Sequence, residues 1–120
     1  MRRRYHNKYK AIKVTYDGIK FDSKLEGARY KILKMLQEAG EISDLETQVP
    51  YRCDVNGKLI CRYYADFRYK VDERVIVEDT KGVLTQVFNL KKKLVEALYP
   101  DVSIEIVTSP NADVLPREAA

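Results

Sequence analysis

Strand-like patterns of apolar and polar residues occur in six short stretches of the chain, and two longer stretches repeat their apolar residues at helical spacing. Residues 11–16 alternate as in a strand, and 19–21 return after Asp17-Gly18, which is a hairpin turn signal. Further strands are predicted at about residues 47–55, 58–71 and 74–81 and, late in the chain, in VSIEIV.

The two helical stretches carry start and stop signals. Ser23 and Glu26 fit the S-x-x-E capping box in front of the first helix. Thr85 precedes a second helix at about residues 86–99, which Pro100 ends. The resulting order, ββαβββαβ, predicts an α/β fold with a mixed β-sheet flanked by two helices.

The chain is long enough for one domain with a core: it has 120 residues, of which 45% are hydrophobic and 33% charged. We predict a basic N-terminal arm at residues 1–8, the domain at 9–108 and a flexible C-terminal tail at 109–120. No apolar run approaches the roughly 18 residues of a membrane span. The basic N-terminus is not followed by the apolar segment of a secretion signal. These features predict a cytoplasmic protein with no membrane partner.

The positive charge is concentrated at the N-terminus. The net charge is +4, yet the first 13 residues hold six basic residues and no acid, so the remainder sums to −2. A basic arm on a nearly neutral body suggests a polyanionic partner, most simply nucleic acid, although a solubilising tail would have the same composition. The basic residues are Arg2, Arg3, Arg4, Lys8, Lys10 and Lys13.

Two cysteines flank the turn signal Asn56-Gly57. If this turn closes a two-residue hairpin, Cys53 lies opposite Ile60 and Cys61 lies opposite Arg52. The two sulfur atoms would then point to opposite faces of the hairpin. We therefore expect free thiols and no disulfide.

Two aspartates on consecutive strands are expected to face each other. A two-residue turn at Asp72-Glu73 would place Asp66 directly opposite Asp79, with their Cβ atoms about 5 Å apart. Opposed carboxylates destabilise a sheet unless something compensates, and hard oxygen ligands of this kind suit Mg²⁺ or Mn²⁺. Lys81 lies on the same strand face as Asp79. The alternative is a solvated strand end with an ordinary ion pair between Asp79 and Lys81.

Two helical residues add to this cluster. Lys91 lies within the apolar stripe of the second helix, where it either reaches out to solvent or points at an anion. Glu26 has a structural role in the capping box, and it could also point into a site near the helix start.

These elements resemble the PD-(D/E)XK nuclease superfamily, whose motif consists of a helix glutamate, a strand aspartate and (D/E)-X-K on the next strand. The corresponding segments are FDSKLEGARY, YYADF and VEDTKG. Ala65 stands where the superfamily has proline. Over about residues 8–107 the chain looks still closer to a family of small phage-encoded endonuclease-like proteins. The resemblance implies a restriction-endonuclease-like core that binds Mg²⁺ (or Mn²⁺) and hydrolyses DNA.

By this resemblance, Asp66 and Asp79 would hold the metal, and Glu26 would join them directly or through water. Lys81 would position or activate the attacking water. Lys91 and, more weakly, Gln86 match positions that support the site or the phosphate. Glu78 is the competing reading of the motif, but alternation along the strand favours Asp79 because only Asp79 shares a face with Lys81.

The function expected from this resemblance is a metal-dependent DNA endonuclease, acting for example on branched or structured DNA in phage recombination or replication. Cutting both strands needs two sites, which is compatible with a homodimer. The chain has no GxxxxGK[ST] loop, so no nucleotide cofactor is expected. The alternative is a non-catalytic DNA-binding protein on the same scaffold, which would use the basic arm and Tyr63, Tyr64 and Tyr69.

Overall fold

The computed structural model of the protein describes residues 12–114, and its elements follow the predicted order ββαβββαβ. Most boundaries agree with the sequence pattern to within one or two residues, and the largest difference is that the third strand begins at Ser43 instead of about residue 47. The elements are β1 (Val14–Tyr16), β2 (Ile19–Phe21), α1 (Lys24–Glu38), β3 (Ser43–Val55), β4 (Lys58–Val71), β5 (Arg74–Thr80), α2 (Gln86–Leu98) and β6 (Ile104–Val107).

The main sheet has the strand order β3-β4-β5-β6 and is mixed: β3, β4 and β5 pair antiparallel, whereas β5 and β6 pair parallel. β1 and β2 form a separate small hairpin. Together with the two helices, this confirms the predicted α/β class. Over residues 12–114, no helix is long and apolar enough to cross a membrane.

The central strand β5 is covered by a helix on each face. Ile76 packs in the cluster that contains Tyr30 and Leu33 of α1, whereas its neighbour Val77 packs in the cluster that contains Val95 of α2. Successive side chains of a strand point to opposite faces, so a strand covered on both sides reads as a continuous apolar run. The strand therefore delivers consecutive side chains, Glu78 among them, to opposite sides of the sheet.

The long strand β4 changes helix partner at Asp66. The odd-numbered side chains from Tyr63 to Tyr69 are buried, but Tyr63 and Ala65 join the α2 cluster, whereas Phe67 and Tyr69 join the α1 cluster. The two clusters lie on opposite faces of β5, so the regular alternation of side chains along β4 is interrupted at Asp66. The ladder between β4 and β5 also ends at Phe67. The candidate site lies where the two strands separate.

The start of α1 is fixed by a cap and by a close contact. The hydroxyl of Ser23 accepts the backbone N–H of Glu26 at 3.0 Å, as the capping-box pattern predicts. Gly27 follows, and a methyl group added there would overlap the side chain of Val14 and lie 2.8 Å from Tyr16 Cε2. The absence of a side chain at this position lets the β1–β2 hairpin lie directly against the helix beside Glu26.

The apolar stripe of α2 packs less completely than its periodicity predicts. Phe88 and Val95 are buried and Leu94 is half-buried, but Val87 and Leu90 are 64% and 68% exposed. Helical spacing identifies an apolar face without fixing which part of it meets the sheet.

The predicted pairing of the two cysteines is wrong. The turn at Asn56-Gly57 forms as expected, but the register shifts by one residue at Ile60, which has no partner on β3. Cys53 therefore lies directly opposite Cys61, and the two side chains share a face. Both are free thiols, and burial raises the pKa of Cys53 to about 11. A β-bulge of this kind adds one residue to one strand and leaves no clear signal in the sequence.

The first part of the segment expected to be a flexible tail is instead packed against the domain. Arg29 of α1 donates to the carbonyl oxygens of Pro110 and Ala112 at 2.9 and 2.6 Å, and Val114 is buried. The segment is held because the guanidinium group offers more donors than a single carboxylate partner uses. Residues 115–120 lie outside the described part of the chain.

Candidate functional site

The register between β4 and β5 is the predicted one. Val71 pairs with Arg74 and Phe67 pairs with Glu78, so the next position on each strand places Asp66 opposite Asp79. The charge of Asp66 contributes to the raised pKa of Asp79, so the two carboxyl groups act on each other. The opposed carboxylates expected from the two-residue turn are thus present in the structure.

The side chain of Asp66 accepts a backbone N–H of β5 just beyond the last backbone pair between β4 and β5. Its Oδ2 atom accepts the backbone N–H of Thr80 at 2.9 Å and the hydroxyl of Thr80 at 2.8 Å. Both bonds reach the same oxygen, so Oδ1 is not engaged by Thr80. The carboxylate is thereby held at the end of β5, where the backbones of the two strands no longer pair.

Asp79 is a buried acid with an altered acidity. It is 2% exposed, the hydroxyl of Tyr63 donates to its Oδ2, and Lys81 Nζ lies 3.4 Å from its Oδ1. Burial, followed by the charge of Asp66, raises the pKa of Asp79 to about 7. Tyr63 and Lys81 act in the opposite direction without cancelling these effects. Ionisation of Asp79 is therefore disfavoured in this place.

Glu26 brings a third carboxylate to the same region from the first turn of α1. It is 3% exposed, and its Oε1 accepts the backbone N–H of Asp22 at 3.3 Å, one residue before the N-cap. Its Oε2 accepts the side-chain amide of Gln48 at 2.9 Å. Burial and then the charge of Asp66 raise the pKa of Glu26 to about 7, and the charge of Asp79 contributes further. Three acids from α1, β4 and β5 thus repel one another.

Lys81 lies beside this cluster. Its ammonium group is the ion-pair partner of Asp79 and stands 4.5 Å from the centre of the Phe88 ring at the start of α2. The side chain is 29% exposed, so the ammonium group is reachable from solvent. This contact with the ring face is a cation–π interaction. It positions the ammonium group while its N–H donors stay available for hydrogen bonds.

Glu78 faces away from the cluster and has a structural partner. Arg29 donates to its two carboxylate oxygens at 2.9 and 2.6 Å, and Tyr69 donates a further hydrogen bond. Both Arg29 and Glu78 are almost fully buried. Burial works against the charge of Arg29, but its bond to Glu78 and that carboxylate's charge outweigh this effect and raise the pKa of Arg29. Of the two adjacent acids, Glu78 therefore forms an ion pair with Arg29 in the core, whereas Asp79 belongs to the acidic cluster with Glu26 and Asp66.

The structure does not bring every predicted residue to this cluster. Lys91 is half-buried, and its charge acts on the thiol of Cys53. Gln86 is exposed at the first position of α2. Over residues 12–114, the structure records no hydrogen bond or ion pair from either side chain to the three acids. The remaining candidates, Arg2, Arg3, Arg4, Lys8 and Lys10, lie outside the described residues.

The chemistry of the donor set suits a divalent cation. Three carboxylates offer only hard oxygen atoms, and two of them have raised pKa values because the acids lie close together in a buried place. A cation would remove the repulsion that protons otherwise relieve. In the described part of the chain, no three His, Cys, Asp or Glu side chains are already spaced to share one ion. The three acids therefore do not form a three-carboxylate ion site in the geometry that the structure shows.

Three residues that contact the acids, Gln48, Tyr63 and Thr80, were not assigned to the metal site from the sequence. Gln48 lies in β3 opposite Asp66, and nothing in the local pattern distinguishes it from other exposed strand residues. Tyr63 was expected only as a stacking residue, but it is buried and donates to Asp79. Its place three residues before Asp66 on the same strand was the one available signal.

The fold and the site define an α/β domain with an acidic cluster where two central strands separate. The chain belongs to the family described as "Protein of unknown function (DUF1064)", whose model matches residues 6–112. Neither the search of the curated proteins nor the search of the solved structures gave a match.

Proposed function

We propose that this protein is a metal-dependent DNA endonuclease with a restriction-endonuclease-like core, similar to the PD-(D/E)XK superfamily. The observation that carries the proposal is the meeting of Glu26, Asp66 and Asp79, with Lys81 beside them, at the end of β5. A buried cluster of acids with raised pKa values is costly to a fold, and such clusters are more frequent at functional sites than elsewhere. The order of the four residues along the chain is also that of the superfamily motif.

In this proposal, the aspartates hold Mg²⁺ or Mn²⁺ and Glu26 joins them directly or through water. The bound ion would lower the pKa of a water molecule and stabilise the charge that develops on the scissile phosphate. Asp66 is oriented for this role by its two bonds from Thr80. Tyr63 fixes the orientation of Asp79.

Lys81 would act on the substrate side of the cluster. Its ammonium group is held near Asp79 and above the Phe88 ring, yet it remains partly exposed. It can therefore orient an attacking water or hold a phosphate oxygen.

Such an enzyme would act in the cytoplasm, and a homodimer would supply one site for each strand of a duplex.

The surface beside the cluster suits a nucleic-acid strand. Tyr64 is 50% exposed and lies two residues before Asp66 on β4, and the exposed Arg62 lies two residues before Tyr64. Arg62 pairs directly with Arg52 of β3. Arg52 is already ion-paired with Asp54 at 2.9 Å, whereas Arg62 makes no ion pair within residues 12–114, so Arg62 is the arginine that could bind a phosphate group. Tyr63 and Tyr69 are 5% and 1% exposed, so neither can serve as the stacking platform that the DNA-binding alternative assigned to them.

The test is a cleavage assay with supercoiled, linear, single-stranded and four-way-junction DNA, each with Mg²⁺, Mn²⁺ or EDTA. We expect cleavage with metal and none with EDTA. Asp66→Asn and Asp79→Asn should remove cleavage. The matched control is Asp72→Asn, because Asp72 is an exposed aspartate in the turn between the same two strands, at the opposite end of the ladder.

Binding without cleavage would favour the alternative function. If the wild-type protein binds these DNAs but cuts none of them with either metal, the endonuclease proposal fails and a non-catalytic DNA-binding protein remains. If Asp79→Asn cuts normally whereas the folded Glu78→Gln protein is inactive, the assignment of the metal-binding acid is wrong.

A further inference from the structure

Gln48 has a backbone conformation that is unusual for its residue type. Its φ angle is +52°, in the left-handed region, although it lies inside the long strand β3. Left-handed residues other than glycine, asparagine and aspartate are uncommon, and a strand interior offers none of the turn geometry that usually accommodates them. The surrounding structure must therefore hold this residue in place.

The side chain of Gln48 shows what this conformation achieves. β3 and β4 keep one register on either side, with Thr47 opposite Phe67 and Val49 opposite Ala65, so Gln48 lies opposite Asp66. Its side-chain amide donates to Oε2 of Glu26 at 2.9 Å. Gln48 thus connects the acid on α1 to the place where Asp66 leaves the ladder.

The other non-glycine residues with a left-handed backbone in residues 12–114 have simpler explanations. Asp17, Asn56 and Asp72 lie in two-residue hairpin turns, which require positive φ angles. Asp44 lies in β3 like Gln48, but next to the register irregularity between Ser43 and Glu46. Gln48 differs from all of these because its flanking pairs keep a constant register and because its side chain contacts a member of the acidic cluster.

We propose that Gln48 is a positioning residue of the metal site: its left-handed backbone turns the amide toward Glu26 and fixes that carboxylate for metal binding. This role rests on the proposed function, because it presupposes a metal at the cluster. The amide donates to one carboxylate oxygen, while the backbone N–H of Asp22 occupies the other. Glu26 is thereby held from two sides before an ion arrives. Hydrogen-bond partners of this kind orient metal ligands and raise affinity without touching the ion.

The test separates the effect of the Gln48 side-chain amide from the effect of its left-handed backbone. Gln48→Gly adopts the same φ angle freely but has no amide, and Asp44→Gly is the matched control in the same strand, since Asp44 has a φ angle of +55° and an exposed ion pair with Lys70. Mn²⁺ affinity is measured by electron paramagnetic resonance, and the unfolding temperature is measured in EDTA. Glu26→Gln and the double variant with Gln48→Gly complete a double-mutant cycle.

We expect Gln48→Gly to weaken Mn²⁺ binding about tenfold, which is the lower end of the range for such partners. Asp44→Gly should bind like the wild type, and both glycine variants should unfold within a few degrees of it. In the Glu26→Gln background, the Gln48→Gly change should have no further effect on affinity. Gln48→Asn, which also tolerates a positive φ angle but has a shorter side chain, should lose affinity like the glycine variant.

The contrary outcomes are distinct. If the wild type binds Mn²⁺ and Gln48→Gly binds it equally well, the positioning role is refuted while the metal site stands. If the effects of Gln48→Gly and Glu26→Gln simply add, Gln48 does not act through Glu26 and the inference is also refuted. If the wild type binds no Mn²⁺, the proposed metal site itself is refuted, and the role of Gln48 with it.

Discussion

The adjacent acids Glu78 and Asp79 should respond in opposite directions when each is replaced by its amide. Glu78→Gln leaves the buried guanidinium group of Arg29 without a charged partner. Asp79→Asn removes a charge from a cluster in which the acids repel one another. In EDTA at about pH 8, the first change should therefore lower the free energy of unfolding and the second should raise it.

The magnitude for Asp79 follows from its acidity. Its pKa rises from 3.8 to about 7 in the folded protein. One pKa unit corresponds to about 1.4 kcal/mol, so keeping Asp79 ionised at about pH 8 costs the folded protein on the order of 4 kcal/mol. The amide loses the ion pair with Lys81, so the net gain for Asp79→Asn should be smaller, roughly 1–3 kcal/mol.

The magnitude for Glu78 follows from its burial. Removing one partner of a buried ion pair typically costs about 3–5 kcal/mol, because the other charge remains buried. Arg29 would keep its bonds to Pro110 and Ala112, which limits the loss without cancelling it. A small domain has a total stability of about 5–15 kcal/mol, so a folded but weakened protein is expected.

Urea denaturation followed by circular dichroism measures both effects, first in EDTA and then with excess Mn²⁺. The ion should stabilise the wild type and Glu78→Gln, since a ligand that binds only the folded state adds to its stability. It should have little effect on Asp79→Asn. If Asp79→Asn destabilises the metal-free protein as much as Glu78→Gln does, the division of roles between the two acids is refuted.

Three further outcomes are expected. Relative to Asp79→Asn, the wild type in EDTA should lose free energy of unfolding as the pH rises from about 5 to about 7.5. The raised pKa of Asp79 makes the folded wild type bind more protons than the unfolded chain in this window, and the variant lacks this group. A difference between the two proteins that stays constant with pH in urea titrations would contradict this. Gly27→Ala should displace the β1–β2 hairpin by contact with Tyr16 and lower the unfolding temperature, and a wild-type value by calorimetry would argue against that close approach. Arg62→Glu should weaken DNA binding and reduce its dependence on salt while leaving Mn²⁺ affinity unchanged; equal salt slopes would exclude Arg62 from the interface.

Much of the fold was predictable because its signals are local. Alternation, helical spacing and turn residues act over a few positions, and they determined the element order and most boundaries. The opposition of Asp66 and Asp79 was predictable for the same reason, since a two-residue turn at Asp72 sets the register of the whole hairpin. Strand alternation also predicted that Glu78 and Asp79 point to opposite faces of β5, without knowledge of the partners of either residue.

The features that were missed depend on contacts between distant segments. The pairing of Cys53 with Cys61 depends on a bulge that no residue type marks. Arg29, the partner of Glu78, is 49 positions away in the chain. The residue type alone does not show whether an arginine on a helix is buried or exposed. The left-handed backbone of Gln48 accompanies a hydrogen bond to Glu26, a residue 22 positions earlier in the chain.

The sequence by itself therefore determined which acids can meet, because strand phase and turn length are properties of neighbouring residues. Only the tertiary structure decided the burial, the hydrogen bonds and the pKa values of those acids. Burial, mutual repulsion and the hydrogen bonds from Thr80, Tyr63 and Gln48 arise when α1, β3, β4 and β5 pack together. Electrostatic energies in such a place depend on the dielectric surroundings and on distances of a few ångströms, which no one-dimensional pattern encodes.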